Sequence, residues 1–206
     1  MSPVSNPDIK RVLGFWFSSS ELDSPQLDSR MDRWFGASDA FDEEIRESFG
    51  ELVEQASAGE LDDWKETPHG RLALIILIDQ FRRNIYRGTA EAFTHDKQAL
   101  RIAIEGTMAG DHQQLDAVER MFFFMPLQHA ESLKIQEKSV GIFNALAKTV
   151  PGTLHETFQT AAQFAELHRD IVAEFGRFPH RNAVLGRPNS HAESAYLSGD
   201  NPSFGQ

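Results

Sequence analysis

Apolar residues fall into helical registers along most of the chain. After Asn6-Pro7, a capping residue followed by a proline suited to a first turn, Ile9, Val12, Leu13 and Phe17 share one face. Ser18 to Ser29 is polar and reads as a loop. Trp34-Phe35-Gly36 echoes Gly14-Phe15-Trp16-Phe17 and is expected to fill gaps in the core. Phe41, Ile45, Phe49, Leu52, Val53 and Ala56 predict a helix with an acidic outer face, closed by Gly59.

Thr67-Pro68 opens the next helix, which runs through Leu72–Ile78 to near Gly88. Its middle is apolar on all sides, so it belongs at the centre of the fold. A buried strand would also suit the β-branched run, but the flanking signals and the length favour a helix. Thr94 can cap a helix through Leu100, Ala103 and Ile104 to Gly110. Another starts near His112 and carries Leu115, Val118, Met121 and Phe122 until Pro126 kinks or ends it. Leu133, Val140, Phe143 and Ala147 mark a helix that stops before Pro151. The longest helix runs from near Thr153 to Phe175, with Gly176 as its closing residue, and Ser190-His-Ala-Glu193 is a capping box for a short last one.

About eight helices and no hairpin pattern predict an all-α fold. Short connections favour antiparallel neighbours, in a bundle or a stacked array. Residues 1–206 read as a single all-helical domain, with 199–206 a loose tail.

Charge narrows the choice of partners. The formal net charge is −11, and residues 1–66 hold sixteen acids against six Lys and Arg. Such a balance argues against nucleic acid or an anionic membrane as a global partner. The first residues lack the pattern of a secretory signal, and the longest apolar run, Leu72–Ile78, is too short to cross a bilayer. A cytoplasmic protein is expected. With no cysteine there is neither a disulfide nor a thiolate nucleophile.

Several polar residues stand where a core should be. Asp79 lies within about 60° of Leu72, Ile75 and Ile76 on a helical wheel. A buried carboxylate needs a partner, and Arg83, four residues on, projects from the same face. His168 sits in the stripe of Phe164, Ile171 and Phe175. Glu119, followed by Arg120, borders an apolar face and needs a cation. His129 and Glu131 lie just beyond Pro126, close to a turn.

The arginines carry the sharper signal. Seven of fourteen fall in two segments, Arg82, Arg83 and Arg87 in one, Arg169, Arg177, Arg181 and Arg187 in the other. Phe175–Arg187 contains three of them with His180 and Asn182, and no acid. Guanidinium forks match carboxylate and phosphate oxygens in pairs. Two readings stay open: the arginines bind a small anion with Asn84, or they bind buried acids and hold the fold together. On the first, His129, Glu131 and His180 are candidate acid–base residues, while Asp79, Arg83, Asn84, Arg87, Glu119, Arg120, His168, Arg177, Arg181, Asn182 and Arg187 are candidate binding residues. No metal-ligand spacing, phosphate-binding loop or nucleophile motif occurs, so neither metal nor cofactor is expected.

Val12-Leu-Gly-Phe-Trp-Phe17, Leu77-Ile-Asp-Gln-Phe-Arg-Arg-Asn-Ile-Tyr-Arg-Gly88, Glu119-Arg-Met-Phe-Phe-Phe-Met-Pro-Leu-Gln-His-Ala-Glu131 and Phe175–Arg187 resemble, in order, the blocks of the bacterial family catalogued as domain of unknown function 924. The resemblance covers nearly the whole chain. It implies a tetratricopeptide-like α/α fold with right-handed stacking, and no established reaction. The chain departs from the family pattern at Arg82, where the family has proline, and at Ala130, where it has serine. The second change removes a hydroxyl that could have served as a nucleophile. Two functions follow as expectations: a pocket for a small anionic ligand, with His/Glu acid–base chemistry, or a peptide-binding scaffold.

Overall fold

The structure, a computed structural model, describes residues 6–18 and 24–199, and the tail expected at 199–206 falls outside them from residue 200 onward. Every regular element among the described residues is helical. In chain order the α-helices are α1 (Pro7–Phe17), α2 (Ser24–Phe35), α3 (Asp39–Ala58), α4 (Pro68–Ile75), α5 (Arg82–Ile85), α6 (Asp96–Ala109), α7 (Ala117–Gln128), α8 (Leu133–Thr149), α9 (His155–Phe175) and α10 (His191–Leu197). None is long and apolar enough to cross a membrane.

Local signals set most of the boundaries. Asn6 accepts from the N–H groups of Asp8 and Ile9, and Thr67 from that of Gly70. Gly59, Gly110 and Gly176 close α3, α6 and α9 with φ of 81°, 82° and 71°, a region that disfavours a Cβ. Ser190 and Glu193 satisfy each other's backbone at the start of α10.

Four boundaries differ from the sequence expectation. The stretch read as a loop ends early, because α2 starts at Ser24, with Leu27 and Trp34 buried. Thr94 does not cap α6; its hydroxyl donates to Glu91 O, and His95 takes the cap position. Residues 111–114 form a separate 3₁₀ turn, and α7 begins only at Ala117, where Asp116 and Glu119 form a capping box. Pro126 does not end α7, which continues to Gln128. Phe35, expected in the core, is 48% exposed.

At the centre, α4 and α5 are two ends of one continuous rod. Between them Ile76–Phe81 is a π-helical turn, in which the Arg82 N–H reaches back five residues to Leu77 O. A proline at 82, as in the family pattern, could not make that bond. Leu72 through Ile78 and Phe81 are buried, as the all-round apolar run requires. Around this rod pack α1, α3, α6 and α7. The α8–α9 hairpin flanks α7, its two helices antiparallel because only residues 150–154 join them. A smaller cluster of Ile171, Val172 and Phe178 seats the segment after α9.

Candidate functional site

The extra residue in the π turn rotates the backbone where the rod turns polar. Asp79, completely buried, and Gln80 come out on the side facing α7. The Arg83 Nη1 donates to both the Asp79 carbonyl and Oδ1, each at 3.0 Å. Its Nη2 takes both oxygens of Asp96, the first residue of α6, at 2.9 and 3.0 Å. Arg181, from the 3₁₀ turn Pro179–Arg181, then donates from Nη1 to Asp96 Oδ2 at 3.0 Å. Charges of alternating sign therefore run Asp79, Arg83, Asp96, Arg181.

His129, the residue that closes α7, joins this row at both ends. Its Nδ1 donates to Asp79 Oδ1 at 2.7 Å, and its carbonyl accepts from Arg181 Nη1 at 3.2 Å. Gln80 adds a donor to the other Asp79 oxygen at 2.6 Å. Burial alone would push the Asp79 carboxyl up. The Arg83 charge and the His129 ring more than offset it and bring it down to about 2. Burial, with Arg83 alongside, lowers His129 despite the aspartate it faces, so the ring is neutral at pH 7. Its Nδ1 carries the proton, which leaves Nε2 with the lone pair.

Arg181 is 6% exposed and lies between two aromatic rings, 4.6 Å from the centroid of Phe93 and 4.5 Å from that of Phe178. Burial lowers it to about 10, with Asp96 opposing, so it stays charged. Its buried Nε has no hydrogen-bond partner, and no described residue accepts from its Nη2. One whole side of this guanidinium is unmatched.

Arg83, His129 and Arg181 line a cavity of about 410 Å3. His168 and His180 stand at the same end. Both are pushed down to about 3, first by burial. Asn84 and Arg87 also border it, and both are bonded to Asp42, at 2.7 Å for Asn84 and at 2.6 and 3.0 Å for Arg87. The rest of the wall is largely apolar: Met31, Trp34 and Phe35 of α2, Met121 and Met125 of α7, Ala161 and Phe164 of α9. Phe35 and Phe164 are each about half exposed, at 48% and 46%.

Seven of the candidate residues do not line this cavity, Asp79 among them, since it meets it only through Arg83 and His129. Glu119 caps α7, and its carboxylate lies 3.7 Å from the His69 ring; Arg120 donates to Leu115 O. Glu131 accepts two bonds from the Arg187 fork, at 2.7 and 2.9 Å, and one from the Phe178 N–H, which bring its carboxyl below the usual range although burial acts upward. Arg177 takes both oxygens of Glu193 at 2.6 and 2.8 Å. Asn182 bridges Arg187 and Asn189. The basic loop thus spends two of its arginines on shaping itself and delivers His180 and Arg181 to the cavity.

Sequence reasoning missed Asp42, Gln80, Phe93, Asp96 and the α2 wall. For α2 a signal existed: Leu27, Met31 and Trp34 stand at helical spacing. Asp96, in contrast, looks like any acid in a first helical turn.

The profile of the bacterial protein family of unknown function DUF924 matches residues 12–201. The chain belongs to the DUF924 family. This DUF924 chain is also similar to the solved structure of a protein of unknown function, ATU0120, from Agrobacterium tumefaciens. The two are 34% identical, the match covers 92% of this chain and 96% of that one, and the TM-score is 0.78. No curated protein matches the chain.

Proposed function

We propose that the cavity binds a small organic acid, its carboxylate head on Arg181 and its apolar body along α2, α7 and α9. The observation that carries this reading is the buried guanidinium of Arg181, whose Nη1 holds Asp96 and the main-chain carbonyl of His129 while its Nη2 finds no acceptor among the described residues. A ligand oxygen would give Nη2 the acceptor it lacks, and a hydrogen bond to a charged group contributes about 1.5–3 kcal/mol. Charge counting sets the size of the head. Arg83 is committed to two aspartates and Arg87 to Asp42, while Arg181 shares Asp96 with Arg83 and keeps only its Nη2 side unmatched, so half of one guanidinium remains for the ligand. That favours a single carboxylate over a multiply charged phosphate. His129 then lies beside the head as its acid–base group, with His180 on the same wall.

A tetratricopeptide-type peptide scaffold would draw its groove from successive hairpins. Here the wall comes from α2, the π turn, α7, α9 and the 179–181 turn, and no observation favours the scaffold.

Isothermal calorimetry with acetate, butyrate, octanoate, octanol and inorganic phosphate tests the reading. Octanoate should bind most tightly, with up to about 0.8 kcal/mol gained for each buried methylene. Octanol and phosphate should not compete, and Arg181→Gln should abolish binding. If no carboxylate binds, or Arg181→Gln binds octanoate as well as the parent chain, the reading fails.

A further inference from the structure

Asp79 and His129 do more than complete a charge row. The aspartate fixes the ring tautomer through a 2.7 Å bond to Nδ1, and it is itself held by Arg83 and Gln80. No described residue hydrogen-bonds Nε2, which is not among the fully enclosed polar atoms, and the residue lines the cavity. A neutral imidazole held in this way is a general base aimed at whatever occupies that end. Arg181, whose Nη1 bonds the main-chain carbonyl of His129 and Asp96, lines the same cavity with Nη2 unmatched among the described residues. Among the described residues the wall contains one hydroxyl, Thr160, and the chain has no thiol, so water is taken as the source of the attacking oxygen.

We propose that this protein hydrolyses esters of apolar carboxylic acids in the cavity, with His129 as general base and Arg181 as the oxyanion's partner. The proposal rests on the carboxylate reading above: the acid that binds is the product. Nε2 of His129 takes a proton from water as the water oxygen bonds to the acyl carbon. The carbonyl electron pair moves onto oxygen, facing Arg181. Collapse re-forms the C=O bond and breaks the bond to the alcohol oxygen, which leaves with the proton held on Nε2. The acid product ionises, releases a proton to solvent and rests as carboxylate on Arg181. Asp79 acts as a positioning residue, and its charge offsets that of the transient imidazolium.

The test uses the full chain with p-nitrophenyl octanoate and p-nitrophenyl acetate, alongside octanoate binding measured on the same protein. Saturable hydrolysis that favours the octanoyl ester is expected, with octanoate a competitive inhibitor at its calorimetric Kd. His129→Gln should lower kcat by roughly 10²- to 10⁴-fold. Binding of octanoate with ester hydrolysis no faster than in buffer overturns the hydrolysis and spares the pocket; absence of octanoate binding overturns the pocket itself.

Should His129→Gln fail to fold, the parent chain still decides. The charged and titratable groups around His129 are Asp79 and Arg83 of the central rod, Asp96 of α6, His168 of α9 and Arg181. With the ring lowered from its ordinary value, kcat should hold between pH 8 and 7, fall only at more acid pH than for an ordinary histidine, and be slower in deuterium oxide. A rate proportional to hydroxide concentration, with no isotope effect, contradicts a general base.

Discussion

The Nδ1 of His129 lies 2.7 Å from Oδ1 of Asp79, a carboxylate with no solvent exposure at all. Asp79 also carries Arg83, so it is the shared partner of a ring and a guanidinium. Asp79→Asn keeps the shape but leaves Arg83 with one acid instead of two. Removing one member of a buried ion pair costs about 3–5 kcal/mol. Urea unfolding should show the midpoint falling by that equivalent with an unchanged m-value.

The basic loop separates into two kinds of arginine. Arg187 grips Glu131 and the Phe178 carbonyl at a partly exposed site, outside the cavity. Arg187→Ala should lower stability by about 1–2 kcal/mol and leave octanoate affinity unchanged, in contrast to Arg181→Gln. Paired thermal melts and calorimetry on the two variants check this.

This division is what the sequence could not express. Asn6, Thr67, Gly59, Gly176 and Ser190 were legible because a cap depends on residues within a turn of it. The burial of Asp79 and its pairing with Arg83 were legible for the same reason, four residues being one helical turn. Arg181 meets Asp96 across 85 positions, and Glu131 meets Arg187 across 56. Nothing local tells an arginine that finds an internal acid from one that is left half-matched. The π turn was hidden too, since its residues are those of an ordinary buried helix.

Gly106 is fixed by its neighbour rather than by its backbone. A Cβ there would lie 2.2 Å from Arg71 Cδ and 2.8 Å from Phe123 Cζ. Arg71 has little room to retreat, because Asp111 holds its Nε at 2.7 Å and the Lys65 carbonyl its Nη2 at 2.8 Å. Gly106→Ala should therefore destabilise by about 1–3 kcal/mol despite its better helix propensity, read from chemical denaturation.

Acid should unfold the protein earlier than its carboxylates alone require. Burial lowers His168 from 6.5 to about 3, so the unfolded chain binds the proton first. The stability this provides is complete above pH 6.5 and is lost as pH falls toward 3. By pH 5 the loss from this one ring is roughly 2 kcal/mol. His168→Gln, compared with the parent chain across pH 7.5 to 5, should flatten the decline.

A crystal structure with octanoate tests the pocket most directly. A carboxylate oxygen is expected within about 3 Å of Arg181 Nη2, with the chain running toward Trp34, Phe35 and Phe164. An empty cavity at saturating octanoate, or a head group bound elsewhere with Arg181 untouched, would contradict it.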